Sequence, residues 1–553
     1  MSLHLRDALL DGLKTLPGTR EFHVHVLVSA PRKHSALYQY AQPRCRTYLQ
    51  DILVLLSEQS TPDSPRILVT AIEACVYNIP ATSCAILYVS KVDSTGQASS
   101  PSPTTTLVKS FLSFHANPAT RPVAADHFWI HIFARAQNQY LFPNSADYPG
   151  KRPLSDVKLC GWWKRVLNDT AVKLNEEIGS GKALIKLFYV LPGYSQLDAE
   201  YSLKHISTST SSLPMSHAHQ LTWTYGHPYS ETEIPLACPR DPSDPDSLHN
   251  LGNYIPSFDD DPKSRFLDEI AYTTEGEGIK SPARKRPRTV STASNGEASE
   301  SVLVSTLGPG GSEGADEKGD STNGKNDRPQ GELGKVTPDE FWERMSFRQE
   351  CVAGAVTGFF TLGMTMLRKN TEDGSTEKST VSPLAPQPGQ VSSKINKRVI
   401  TSLMTGVEFS TKERAVRSTE SVEGTIRGLC EGISTIPTPI IQAPQPRRAS
   451  GASEGRRTPE RESSSALLAP PRTPPPRMTN GKRIIPDVSP NPFPEPETSL
   501  ETYNSYIYGS VCVSNPITTA PEKGRSEGEK GEGTTPHVTV LTVRKKKKRT
   551  DGN

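Results

Sequence analysis

The stretch CAILYVSKVDSTG, residues 84–96, is typical of a buried β-strand that runs into a turn. Its first six residues are apolar without interruption, and the Asp, Ser, Thr and Gly near its end are turn formers. Two other stretches have strand character: FHVHVLVSA (22–30), in which apolar and polar residues alternate, and ALIKLFYVLPGY (183–194). The sequence therefore predicts a sheet.

Helical patterns lie between these strands, at TTLVKSFLSFHA (105–116) and SDVKLCGWWKRVLNDTAVKLNEEI (155–178). The second pattern begins with Ser155, which we predict as the N-cap, and carries an apolar stripe through Leu159, Trp162, Trp163 and Val166. Further along, Thr337 and Glu340 have capping-box spacing, and residues 394–433 form a helical block. Strands that alternate with helices predict an α/β or α+β domain.

The composition predicts that much of the chain lies outside any hydrophobic core. Only 34% of the 553 residues are hydrophobic, and there are 48 prolines and 39 glycines. We assign residues 1–274, 335–369 and 391–434 to the ordered domain and 499–517 to a short docking segment. The other stretches are a linker at 370–390, disordered segments at 275–334 and 435–498, and a disordered basic tail at 518–553.

Charge and cysteine usage narrow the class of protein. The net charge is +3, and the eight cysteines show neither CxxC pairs nor metal-ligand spacing, so we expect a reduced intracellular setting and no structural zinc. We also expect no membrane span and no signal peptide. Basic runs at 281–288 and 544–549 suit nuclear import, nucleic-acid contact or chaperone binding, and the sequence does not separate these uses.

The stretch DDDPKSRFLDEIAY (259–272) allows two interpretations. In the first, an aspartate caps a helix that has Pro262 at its first position and an apolar face on Phe266, Leu267 and Ile270. In the second, the three carboxylates bind, orient or deprotonate an amine. From these residues alone, the capping interpretation is favoured.

Five segments, taken in order, resemble the fungal histone H3 lysine acetyltransferases, a family structurally akin to metazoan CBP-type acetyltransferases and partnered by histone chaperones. They are VSKVDSTG (89–96), RAQNQYLFPNS (135–145), GWW (161–163), DDPKSRF (260–266) and EFWERMSFRQE (340–350). The resemblance implies a mixed central sheet flanked by helices, acetyl-CoA as co-substrate, no metal, histone H3 and histone chaperones as partners, and a nuclear location. A non-catalytic chromatin adaptor that keeps the fold is the alternative.

The resemblance also implies roles for individual residues. Asp261 would be the proton acceptor, with Asp260 and Asp93 completing an acidic patch, and Lys263 would be the lysine that the enzyme acetylates on itself. Because only about one lysine amine in a thousand is neutral near physiological pH, such an enzyme needs carboxylates beside the amine. With the resemblance, the amine-binding interpretation of 259–261 becomes the favoured one, and capping remains compatible with it.

The resemblance implies the acetyl-CoA-binding residues in the same way. Aromatic side chains suit the acetyl–pantetheine arm, and Lys151 begins a segment that touches the pyrophosphate and pantetheine in the family. Where relatives can carry basic residues, this chain has SPSPTTT (100–106), so phosphate contacts there are not carried over. The expected cofactor-binding residues are Val92, Asp93, Ser94, Phe133, Arg135, Ala136, Tyr140, Arg152, Pro153, Leu154, Trp162 and Trp163.

Overall fold

The structure is a computed structural model. It describes residues 4–179, 181–207, 221–240, 249–273, 330–348, 355–367, 382–431, 478–479, 482–483, 493 and 495–516. The described elements lie in one compact unit, Met1–Asn515; of the second unit, Pro516–Asn553, only Pro516 is described.

The bounds of the elements follow the chain. The strands are β1 Gly18–Val28, β2 Arg32–His34, β3 Thr47–Gln59, β4 Ile67–Ile79, β5 Cys84–Ser94, β6 His127–Ala134, β7 Ala183–Val190, β8 Trp223–Tyr225, β9 Gly358–Met366, β10 Met478–Thr479, β11 Lys482–Arg483 and β12 Tyr508–Asn515. The α-helices are α1 Leu5–Leu13, α2 Thr104–Ala116, α3 Asp156–Ile178, α4 Gln196–Ser207, α5 Pro262–Tyr272, α6 Pro338–Met345, α7 Ser393–Thr405, α8 Lys412–Glu431 and α9 Leu500–Thr502. The last of these continues as a π-helical turn, Tyr503–Ile507.

One large sheet organises the molecule. Its strand order is β12-β1-β3-β4-β5-β6-β9-β7-β8, with β2 paired to β3 beside this path. The pairs β5–β6 and β7–β8 are parallel, whereas the other pairs are antiparallel. The predicted α/β class, with a mixed central sheet flanked by helices, is confirmed. The three strands predicted from sequence are β1, β5 and β7.

Helices cover both faces of this sheet because its central strands are apolar on both faces. On β3, Ile52, Val54 and Leu56 point into the cluster formed with α1 to α4. Their neighbours Leu53 and Leu55 point to the opposite face, into the cluster with α7 and α8. A third cluster, on that opposite face further along the sheet, includes buried residues of α5 and α6. Such alternation places successive side chains in different cores.

Two of the segments that composition assigns outside the ordered domain contain buried residues. Leu333, assigned to a disordered segment, is fully buried, and its carbonyl accepts the N–H of Leu251 at 2.8 Å. Leu384 and Gln390, assigned to a linker, are buried as well. The rest of the predicted disordered stretches 275–334 and 435–498 lies largely outside the described residues, and the basic tail 518–553 lies wholly outside them.

Candidate active site

A cavity of about 650 Å³ opens where β5 and β6 separate. The parallel pairing of these strands ends at Val89 and Ile132, although β5 continues to Ser94 and β6 to Ala134. The cavity therefore lies at the carboxyl ends of two parallel strands, where ligands commonly bind in α/β sheets. The N-terminal end of α2 closes one side, with Thr104 and Thr105 in the lining.

A β-bulge sets which side chains of β5 face this region. The register between β4 and β5 shifts at Ser90, so that Tyr88 pairs with Cys75 but Lys91 pairs with Glu73 and Asp93 with Ala71. Paired residues share a face of the sheet. The extra residue therefore brings Tyr88, Lys91 and Asp93 to one face, which an unbroken alternation would not allow.

The residues predicted to bind the cofactor all line this cavity. They come from the end of β5, the end of β6, the loop before α3 and the first turns of α3. Leu154 is exposed. The predicted residues found in the lining are Val92, Asp93, Ser94, Phe133, Arg135, Ala136, Tyr140, Arg152, Pro153, Leu154, Trp162 and Trp163. Their contact with a cofactor remains a prediction.

Asp93 holds the loop that follows β6. One of its carboxylate oxygens accepts the backbone N–H groups of Tyr140 and Leu141 at 2.8 Å and of Phe142 at 3.1 Å. The other accepts the N–H of Ser94 at 2.8 Å and pairs with the buried ammonium of Lys151 at 2.9 Å. These contacts use the acceptor positions of a carboxylate. Asp93 therefore has a structural contact set, which includes the ammonium of Lys151, a residue that also lines the cavity.

Two aromatic residues of the lining have defined polar partners. The indole Nε1 of Trp162 donates to Thr105 Oγ1 at 3.0 Å, and its ring meets Trp163 edge-on with centroids 4.7 Å apart. The hydroxyl of Tyr140 donates to the carbonyl of Arg135, and burial, followed by the charge of Asp93, raises the pKa of Tyr140 to about 12. Both rings are therefore fixed at the cavity wall by hydrogen bonds.

Adjacent carboxylates at the start of α5 have opposite environments. Asp260 is exposed, lines the cavity and pairs with Lys91 at 3.0 Å. Asp261 is buried and does not line the cavity; it caps α5 by accepting the N–H of Lys263 at 2.9 Å. Its second oxygen pairs with the Lys263 ammonium at 2.8 Å. Asp261 thus both caps the helix and holds an amine, and that amine belongs to the chain itself.

Lys263 lies in an aromatic box. Its ammonium is 4.8 Å from the ring centroid of Phe359, 5.8 Å from that of Phe258 and 5.9 Å from that of Trp342. Burial, and then the charge of Lys263, holds the pKa of His131 well below its ordinary value, so this imidazole is neutral. The box and the Asp261 carboxylate together compensate the buried charge.

Several residues of this region were not predicted from the sequence. Tyr88 lines the cavity and stacks on Phe258 with ring centroids 4.0 Å apart. Glu73 pairs with Lys91 at 2.8 Å, which brings β4 into the site. A charged residue within an apolar strand was a visible indication for Glu73 and Lys91, but their pairing depends on strand register. In the part of the chain that the structure describes, no cluster of His, Cys, Asp or Glu suits a metal ion, and no helix suits a membrane span.

Comparisons with known proteins agree on one family. Residues 120–425 match the family model of the histone acetyltransferase KAT11-type domain. A curated relative, histone acetyltransferase rtt109 of Aspergillus flavus, is 27% identical over 385 residues, which is 63% of this chain and 54% of the relative. Its counterpart in Schizosaccharomyces pombe is 24% identical over 285 residues, 50% of this chain and 52% of the relative. The chain thus spans about half the length of the curated relatives it matches.

A solved structure supports the fold. The crystal structure of Rtt109 from Aspergillus fumigatus matches with a TM-score of 0.50 and 23% identity, over 76% of this chain and 95% of that chain. The mixed sheet with its flanking helices is therefore an architecture already seen in a solved protein.

Proposed function

The chain belongs to the histone acetyltransferase KAT11-type family, and from this premise we propose that it transfers acetyl groups from acetyl-CoA to lysines of histone H3. The observation that carries the proposal is an exposed carboxylate, Asp260, at a cavity of about 650 Å³. That volume lies within the range of about 300–1,000 Å³ that is usual for small-molecule sites. An acyl transfer to lysine needs a donor site and a carboxylate for the amine, side by side.

The cavity lining suits the parts of acetyl-CoA, which supplies the activated acetyl group as a thioester. The exposed guanidinium groups of Arg135 and Arg152 are suited to its phosphates. Phe133, Leu154 and Trp162 offer an apolar wall for the pantetheine arm. No metal is required by this arrangement.

The three aspartates have different roles toward the amine that accepts the acetyl group. A lysine ammonium has an ordinary pKa near 10.4, so it must lose a proton before its nitrogen attacks the thioester carbon. We assign contact with that amine to Asp260, which is exposed and can pass the proton to water. Asp261, which the resemblance made the acceptor, fixes the start of α5 and so positions Asp260. Asp93 positions Tyr140 and its neighbours in the cavity wall.

The names of the two curated relatives support a histone substrate. Histone H3, presented as the H3–H4 complex, and histone chaperones as partners in chromatin assembly, DNA replication or the DNA damage response are what the sequence resemblance implies. A nuclear location follows from such a substrate. Lys263 remains the proposed site of self-acetylation, since its amine is already held by a carboxylate.

Incubation of the chain with H3–H4 and isotope-labelled acetyl-CoA, followed by mass spectrometry of the histones, tests this function. The unaltered chain should label lysines of histone H3. Asp260→Asn should lower turnover by roughly 10²-fold because the amine loses its proton acceptor. Asp259→Asn is the matched control, since Asp259 is an exposed neighbour outside the cavity lining, and it should keep near-full activity. An unaltered chain that binds H3–H4 without transferring acetyl would favour the adaptor alternative.

A further inference from the structure

The ammonium of Lys91 contacts Asp260, the carboxylate that we assigned to the substrate amine. The bulge at Ser90 turns Lys91 to the face shared with Glu73, and Lys91 lines the cavity. Its ammonium lies 3.0 Å from Asp260 and 2.8 Å from Glu73. A primary ammonium therefore already occupies Asp260 when no substrate is present.

Burial lowers the pKa of Lys91, but the charges of Glu73 and Asp260 outweigh it and raise the pKa above its ordinary value. Lys91 is therefore a full cation at neutral pH, as an incoming lysine would be. The contact is also weakly held, because the side chains of Lys91 and Asp260 are 28% and 57% exposed. Ion pairs so exposed contribute little to stability, unlike the buried pair of Lys263 with Asp261.

Glu73 makes an exchange feasible. Its carboxylate side chain is 21% exposed and lies 2.8 Å from the Lys91 ammonium, so this contact does not depend on Asp260 for its geometry. When another ammonium pairs with Asp260, Lys91 keeps Glu73 as a carboxylate partner, so its charge stays compensated. After acetyl transfer the substrate nitrogen belongs to a neutral amide. Because it carries no positive charge, it no longer competes with Lys91 for Asp260.

We propose that Lys91 holds the place of the substrate ammonium on Asp260, and that a target lysine enters the site by exchanging with it. The inference rests on the proposed acetyltransferase function and adds a specificity-determining residue to it. Lys91 makes the site selective for a charged side chain and favours departure of the neutral product.

Steady-state kinetics of the full chain with H3–H4 test the exchange. Lys91→Met removes the competing ammonium and keeps an unbranched side chain that is one atom shorter. The KM for H3–H4 should then fall about fivefold, which corresponds to the upper end of the free energy that an exposed ion pair contributes. Lys91→Arg keeps a cation and should restore the KM for H3–H4 to within about twofold of the unaltered chain.

Lys186→Met is the matched control. Lys186 has the same 28% side-chain exposure and also bridges two carboxylates, Glu231 at 2.8 Å and Glu233 at 2.5 Å, but it does not line the cavity. Its replacement should leave the KM for H3–H4 unchanged. A Lys91→Met chain with an unchanged or raised KM for H3–H4, in an active parent, overturns the exchange and leaves the proposed function standing. Absence of acetyl transfer by the unaltered chain overturns the function itself.

Discussion

The buried pair of Asp261 and Lys263 sets the cost of altering the start of α5. Both side chains are at most 4% exposed, so each charge depends on the other. Removal of one partner of such a pair typically costs about 3–5 kcal/mol, because the remaining charge is buried without compensation. A substitution at Asp261 is therefore expected to act on folding before it acts on chemistry.

Asp261→Ala should lower the free energy of unfolding by about 3–5 kcal/mol, measured by urea denaturation. The double variant Asp261→Asn with Lys263→Met should recover most of this loss, since Asn also caps helices and no charge is left buried. A folded Asp261→Ala protein with unaltered stability would show that the aromatic box alone accommodates the ammonium of Lys263.

At the residue scale, the sequence predicted that the Asp259–Asp261 stretch caps a helix and binds an amine, but not which aspartate does which. Residue types indicate that a carboxylate caps a helix or binds an amine. Which of two adjacent aspartates is buried depends on where the Phe258 ring and α5 pack, and those contacts involve segments far apart in the chain. The assignment of Asp260 to the substrate amine therefore needed the three-dimensional arrangement.

At the scale of elements, a buried ion pair anchors the loop between β5 and α2. Arg20 on β1 pairs with Glu58 on β3 at 3.4 Å, with both side chains only 2% exposed. The guanidinium donates to the carbonyls of Ser99 at 2.9 Å and Pro101 at 2.8 Å, and Glu58 accepts the N–H of Ser99 at 3.1 Å. This loop contributes Gly96, Ala98 and Ser102 to the cavity lining.

Arg20→Met should raise the KM for acetyl-CoA by about tenfold or more, because the loop loses its anchor and the cavity wall shifts. The double variant Arg20→Met with Glu58→Met should regain stability in urea, since no buried charge remains, but should keep the high KM. An unchanged KM in a folded Arg20→Met chain would mean that the loop holds its shape without the pair.

The segment from α9 to β12 docks on β1 through two histidine–tyrosine contacts. His25 Nε2 and Tyr503 Oη are 2.9 Å apart, and His23 Nδ1 and Tyr508 Oη are 3.0 Å apart. Burial, followed by the charges of the neighbouring His23 and Arg66, lowers the pKa of His25 to about 3. The folded protein therefore keeps His25 neutral, whereas the unfolded chain takes up a proton near pH 6.5.

Because the folded pKa of His25 is depressed, its contribution is fully present above pH 6.5 and is lost as the pH falls towards 3. The free energy of unfolding should drop by about 1.4 kcal/mol per pH unit more in the parent than in His25→Gln over this window. Urea denaturation at stepped pH measures the slope, and His249→Gln, at an exposed position, should leave it unchanged. Equal slopes for the parent and His25→Gln would contradict the docking role of a neutral His25.

Strands were predicted correctly where the sequence keeps a single hydrophobic pattern along the strand. β1 alternates, and β5 and β7 are compact apolar runs, so their positions followed from sequence. β3 and β4 are buried on both faces and interrupted by charged residues, which hides the period of two. The bulge at Ser90 is also invisible in sequence, because it exists only relative to the register of β4. The orientation of Lys91 and Asp93 therefore could not be predicted.

At the scale of the whole molecule, the region around α5 is assembled from segments that lie far apart in the sequence. The N–H of Glu332 donates to the carbonyl of Ile270 at 3.1 Å, so the described chain resumes beside the end of α5. A Cβ on Gly331 would lie 2.4 Å from the carbonyl oxygen of Ala271, which confirms how closely the two ends pack. Residues between them can be shortened without stretching either end.

Replacement of residues 276–329 by a short Gly/Ser linker should therefore keep cooperative unfolding and basal acetyl transfer within about twofold of the full chain. Each halving of the connecting loop should add about 0.6 kcal/mol to the free energy of unfolding, because less chain entropy is lost on closure. Extension of the deletion to 276–334 should instead destabilise the protein, since it removes the buried Leu333 and its 2.8 Å hydrogen bond from Leu251. Urea denaturation of the two deletions side by side separates the outcomes. If both deletions unfold alike, the contact between Leu333 and Leu251 does not support the fold, and the boundary of the ordered domain lies nearer residue 335, as the composition alone predicted.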